Sequence, residues 1–190
     1  MSDISRVRIA NLALTKLGAQ KILSFEDGST SADRISTVYD SLRDAVLQEH
    51  PWNFALGRAI LAPDGDAPAY EYTYKFLLPL DCLRIFRTEP VDLDYKIEGG
   101  YLLANTDTVY VKYIKQITNE NMFSPMFVKA FSTYLAHEIC YATTNSTSKE
   151  DSLMNEYNAQ LVLARSIDSQ EDQPDNIEDQ FGNTWFEARA

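Results

Sequence analysis

The stretch RDAVLQEHPWNFA, residues 43–55, sets a helical pattern against an extended one within a few positions. Upstream, Ile35, Val38, Leu42 and Val46 recur at spacings of three and four, which places them on one helix face. The entry to that helix is marked by GSTSADRI, residues 28–35, which offers several N-cap candidates. Pro51 ends it, because a residue before proline is pushed out of the helical region, and His50 is that residue. Trp52-Asn53-Phe54 then reads as extended, with both aromatics facing the same way. His50, Pro51, Trp52 and Phe54 therefore read as a structural signature, a joint where a helical layer hands over to something else.

Downstream of the joint the chain turns to β material. RAILA, YEYTYKF, CLRIFRTE, DYKIEG, YLLAN and TVYVKYI are short alternating runs between residues 57 and 117. Turns rich in Gly, Pro and Asp separate them, APDGDAPA and EGGY among them, and KIEGGYLL is the clearest hairpin. Upstream of the joint, Ile4, Val7, Ala10, Leu14 and Leu17 predict a first helix over residues 3–17, stopped by Gly18. Helix returns at Phe123-Ser124-Pro125, an apolar residue, a serine cap and a proline at the first helical position. The run 126–143 is apolar nearly all round, so it must be surrounded by its own chain or by neighbouring subunits. A capping box from Thr147 to Glu150 predicts a last helix with Leu153, Met154, Tyr157, Leu161 and Ala164 on one side.

The expected fold class is α+β. A four-helix bundle (residues 1–56 and 118–170) carries an antiparallel β insertion (57–117) between helices 2 and 3. An extended C-terminal arm (171–190) comes last, too polar to bury its own surface. The arm is acidic, then ends in Phe181, Trp185 and Phe186. Tryptophan anchors on extended segments carry binding energy at interfaces, so these three are the candidate partner-binding residues. The rival reading packs them back on their own chain.

The net charge of −11 argues against a surface that grips phosphates. The acidic run 168–179 reads most simply as a solvated tail. No apolar run approaches a membrane span, and the opening residues lack a secretory pattern. Cys82 and Cys140 form neither a disulfide framework nor a zinc pattern, and read as small buried core residues. GSTSADR lacks the lysine and spacing of a phosphate loop. His137-Glu138 begins like H-E-x-x-H, but Tyr141 stands where the second zinc ligand belongs, so His137 reads as a hydrogen-bonded helix residue. Glu49-His50 has the composition of an acid–base pair. The plainer reading is a histidine cation complementing a helix C-terminus. No catalytic, cofactor-binding or metal-ligating residue is expected, and no enzyme activity.

The stretch from Arg8 to Pro63 resembles the N-terminal half of head-to-tail adaptor proteins of short-tailed, double-stranded DNA bacteriophages, also called tail tubular protein A or tail accessory factors. The residues that carry the resemblance are Leu17-Gly18, the STSADR entry and Leu47-Gln48-Glu49-His50-Pro51-Trp52-Asn53-Phe54-Ala55. The resemblance spans roughly residues 4–170 and weakens in the β block. It implies a structural virion protein of the head–tail junction, present in the host cytoplasm during assembly. Such adaptors form a ring, typically of twelve copies, below the portal protein. They extend the DNA channel and give a platform for a tail nozzle or tail needle protein. DNA passes through the lumen without specific binding, which an acidic lining would favour. Two alternatives stand beside it: a virion-associated peptidoglycan hydrolase, for which no residues can be mapped, and a non-viral α+β scaffolding protein.

Overall fold

Ser5 and Ser29 begin the first two helices by the same device. Each hydroxyl oxygen accepts an amide N–H of the first turn, from Arg8 and Ala32 respectively, satisfying a donor that the helix leaves open. The computed structural model describes residues 4–171. In it α1 covers Arg6–Leu17, later than the expected start at residue 3, and α2 covers Thr30–Glu49. Gly18 closes α1 in the left-handed region at φ 72°, where a side chain would be strained.

Ser124 and Pro125 start α3 (Pro125–Glu138) as the sequence predicts, with the Ser124 hydroxyl accepting from Phe127 N–H. The expected run to residue 143 is not one helix. The backbone breaks at Ile139, and α4 (Cys140–Thr144) comes next and closes on left-handed Asn145. Apolar periodicity reports burial, which continues through the break; it does not report backbone continuity. α5 covers Thr147–Gln170, and its cap is Ser146, which accepts from Lys149 N–H. The expected box from Thr147 is thus one residue late.

α3 lies against α1, α2 and α5. Phe127, Phe131 and Leu135 are fully buried among them. The helix that is apolar all round is therefore enclosed by its own chain.

Six strands lie between α2 and α3: β1 (Leu56–Leu61), β2 (Tyr74–Leu77), β3 (Cys82–Glu89), β4 (Tyr95–Glu98), β5 (Tyr101–Ala104) and β6 (Val109–Lys115). They form two three-stranded antiparallel sheets, ordered β1-β6-β3 and β2-β5-β4. The molecule is thus α+β, mixed helix and sheet. The β4–β5 hairpin turns on Gly99 and Gly100, at φ 56° and 86°, the doubly left-handed turn that suits strand twist. YEYTYKF is strand only from Tyr74 onward. Glu71 sits at φ 69°, and Asn105 accepts from the amide and hydroxyl of Thr73. Those contacts hold the first half of the run as a loop.

The core has two parts. The helices, Trp52 and Ala55 make one, and the sheets make the other around Phe76, Leu102, Val109 and Val111. β6 serves both: Val109, Val111 and Tyr113 enter the sheet cluster, whereas Ile114 enters the helical one.

Candidate functional site

The joint after α2 is built around Trp52. Its side chain is fully buried. The indole N–H donates to the carbonyl of Val46 at 3.1 Å, an oxygen in the last turn of α2. Its ring meets Phe127 of α3 edge-on at 5.2 Å, stacks with Phe54 at 6.1 Å, and meets the His50 ring at 4.7 Å. Trp52-Asn53-Phe54 is not extended, as the sequence suggests. Ala55 N–H donates to the Trp52 carbonyl at 2.8 Å, and Asn53–Ala55 forms a 3-10 turn. The two aromatics still share one side, because a single tight turn brings them together.

His50 adopts extended backbone at φ −145°, as expected of a residue before proline. Its side chain does not act as a free cation on the helix terminus. Nε2 lies 3.2 Å from Asp168 of α5, whose side chain is only 7% exposed. Burial pulls the imidazole below its ordinary pKa of 6.5, and the Asp168 carboxylate opposes part of that shift. Asp168 also accepts the amide N–H of Asn53 on its carboxylate, while its own backbone carbonyl accepts from Asn53 Nδ2 at 2.7 Å. Asn53 thereby pairs a carbonyl that the last turn of α5 leaves open. Glu49 adds a second tie, accepting from Tyr157 at 3.1 Å and from Arg165 at 3.0 Å. The reading of Asp168 as part of a solvated acidic tail is corrected: it is buried on α5, and it clamps the end of that helix to the joint.

A histidine–carboxylate pair has the parts of a general base and its orienting group. Among the described residues, Asp168 is the group that bonds the His50 ring, and no hydroxyl or thiol nucleophile is bonded to it. The arrangement locks two segments distant in the chain at one point. His137 is a hydrogen-bonded helix residue, with Nδ1 at 3.1 Å from the Glu150 carbonyl. Cys140 is buried, but Cys82 is only half-buried, at the start of an outer strand of its sheet. Among the described residues no group of three or more His, Cys, Asp or Glu side chains could hold a metal ion. No helix of the described residues is long and apolar enough to cross a membrane.

A second feature was not foreseen in the sequence. The face of the β1-β6-β3 sheet turned away from the core is a shallow concavity of about 640 Å³. Register puts Arg58 of β1 opposite Lys112 of β6, and Lys112 opposite Arg87 of β3. Beside that row, Ile60 is opposite Tyr110. Phe86 is exposed as well, because β3 slips register between Ile85 and Arg87, so that Phe86 and Arg87 both reach solvent.

Of the residues singled out from sequence, the rings of His50, Trp52 and Phe54 meet at the joint, and Pro51 lies between His50 and Trp52 in the chain. Phe181, Trp185 and Phe186 lie outside the described residues. Asp168 and the cation row carried no local signal, since each acquires its role from a partner distant in the chain. No protein-family model matches the chain, and no curated protein matches it.

Proposed function

We propose that this chain is a ring-forming head-to-tail adaptor of a short-tailed, double-stranded DNA bacteriophage, a structural protein without catalysis of its own. The observation that carries the reading is the joint. The residues that bear the adaptor resemblance, Leu47 to Ala55, also pin the end of α2 in the helical core, receive the end of α5 and, through Gln48, bond the Leu83 carbonyl of β3. In this reading the four long helices form one bundle with the β block inserted between the second and third. The ring, of twelve copies, sits below the portal protein, extends the DNA channel and carries the tail nozzle or needle protein.

A closed ring needs two different surfaces per copy that fit each other. Because α3 is enclosed by its own chain, those surfaces are sought on the outer helices and the sheets instead. The arm, residues 171–190, reaches the portal with Phe181, Trp185 and Phe186 as its anchors. The test mixes the purified chain with the portal protein that accompanies it and measures sedimentation mass. The expected result is one large complex with the full chain. A chain cut after residue 170 should keep its circular dichroism and lose the complex. Full portal binding by the cut chain would refute the role of the arm, and no complex with either chain would refute the adaptor reading.

A further inference from the structure

We propose that the open edge of the β2-β5-β4 sheet is a pairing surface for a second copy of this chain, with the two β4 strands antiparallel about a two-fold axis at Ile97. A two-fold contact joins two copies and does not repeat around a ring. The pairing therefore belongs to the free protein and stands whether or not the chain is an adaptor.

Backbone direction is the first observation. β4 lies at the end of its sheet, and among the described residues it pairs with β5 alone. Gly99 and Gly100 form a two-residue turn, so the flanking pair, Glu98 and Tyr101, exchange backbone hydrogen bonds. Bonding direction alternates along a strand. Lys96 therefore also faces β5, whereas Tyr95 and Ile97 turn their N–H and C=O groups to the open edge. Two antiparallel strands with Ile97 opposite Ile97 satisfy those central groups reciprocally.

The side chains give the register. β4 reads Tyr95-Lys96-Ile97-Glu98. With the axis at Ile97, Lys96 stands opposite Glu98 of the second copy, and Glu98 opposite its Lys96. Both are non-hydrogen-bonded pairs, in which the side chains come closest and opposite charges attract. An axis at Lys96 or at Glu98 would set like charges face to face. Lys96 lies 3.5 Å from Glu71 and 3.6 Å from Glu98 of its own chain, which keeps its ammonium on the face that Glu98 shares. Edge strands commonly carry charge that blocks pairing. Here the two charges differ in sign and flank an apolar residue, so a second copy is attracted in one register.

Apolar continuity is the third observation. Phe76, Leu102 and Ile97 are neighbours across β2, β5 and β4. Phe76 and Leu102 are fully buried, yet Ile97 is 45% exposed. The apolar row of the sheet core thus runs uncovered to the edge. A second copy continues it with its own Ile97, and two three-stranded sheets become one of six strands. One four-residue strand from each copy buries less than the roughly 1,200 Å² of stable complexes, so the association is weak.

The test is sedimentation equilibrium of the full chain at concentrations up to about 1 mM, where weak association is populated. The expected mass rises from one copy to two and no further. Lys96→Glu and Glu98→Lys each set like charges opposite one another and should weaken the dimer by about tenfold or more. Mixed in equal amounts, the two variants should associate again, because each then meets opposite charge at both positions. Ile97→Pro removes an outward N–H, spares the bonds to β5, and should abolish the dimer. Circular dichroism and melting curves check that all three variants fold. A wild type that stays monomeric at about 1 mM overturns the proposal. So does a dimer that the charge reversals leave intact, or a mixture that associates no better than its components. Growth beyond two copies excludes the two-fold pairing and overturns it also.

Discussion

Replacing Trp52 with alanine tests whether the joint holds the fold together. The indole is fully buried, against Phe127 of α3, Phe54 and His50. A buried tryptophan removes about 150–250 Å² from water, worth roughly 4–6 kcal/mol at about 25 cal/mol per Å². Measured Trp or Phe to Ala changes in cores fall at about 3–5 kcal/mol, since the site relaxes in part. Loss of the bond to the Val46 carbonyl is of order 1 kcal/mol and is contained in that range. The expected cost is about 4 kcal/mol, a large share of the roughly 5–15 kcal/mol typical of a domain. Trp52→Phe keeps most of the apolar contact and loses the indole N–H, so about 1–2 kcal/mol is expected. Urea unfolding followed by far-ultraviolet circular dichroism is the suitable assay, because Trp52 is one of only two tryptophans and its removal would distort a fluorescence readout. A Trp52→Ala midpoint equivalent to less than about 1 kcal/mol would show that the joint does not anchor the end of α2 in the helical core.

Three further perturbations probe the clamp, the histidine and the sheet. Asp168→Ala leaves the Asn53 amide without its carboxylate and His50 without its partner, so a loss of about 2 kcal/mol is expected in urea unfolding; an unchanged midpoint would mean that the clamp is idle. Stability should fall as pH drops below 6.5, because His50 takes up a proton in the unfolded chain before the folded one. His50→Gln should therefore lose less stability than the wild type between about pH 7 and pH 5, and parallel losses in melting curves would assign the decline to other groups. Gly57→Val places a Cβ 2.8 Å from the Lys115 stem and 2.9 Å from the Tyr113 ring. The lysine can swing away, but Tyr113 is held by Asp81 at 3.2 Å, so overpacking of about 1–3 kcal/mol is expected in thermal melts, and a wild-type melting curve would contradict it.

The sequence by itself determined that a β block lies between helical segments, the cap at Ser124, the stop at Pro51 and the Gly99-Gly100 hairpin. Each is a short-range preference of a few neighbouring residues, such as a side chain reaching an open amide or a glycine tolerating positive φ. The stretch at residues 43–55 was legible for the same reason, although its 3-10 turn was not: only the burial of Trp52 against α3 decides which way Phe54 must fold back. Tertiary structure alone decided that Asp168 is buried and bonded to His50, a partner 118 residues away. It likewise decided that Arg58, Lys112 and Arg87 form a row, since cross-strand register joins residues that alternation along one strand cannot relate. Local patterns choose helix, strand and turn; which charges face each other is set by how those elements pack.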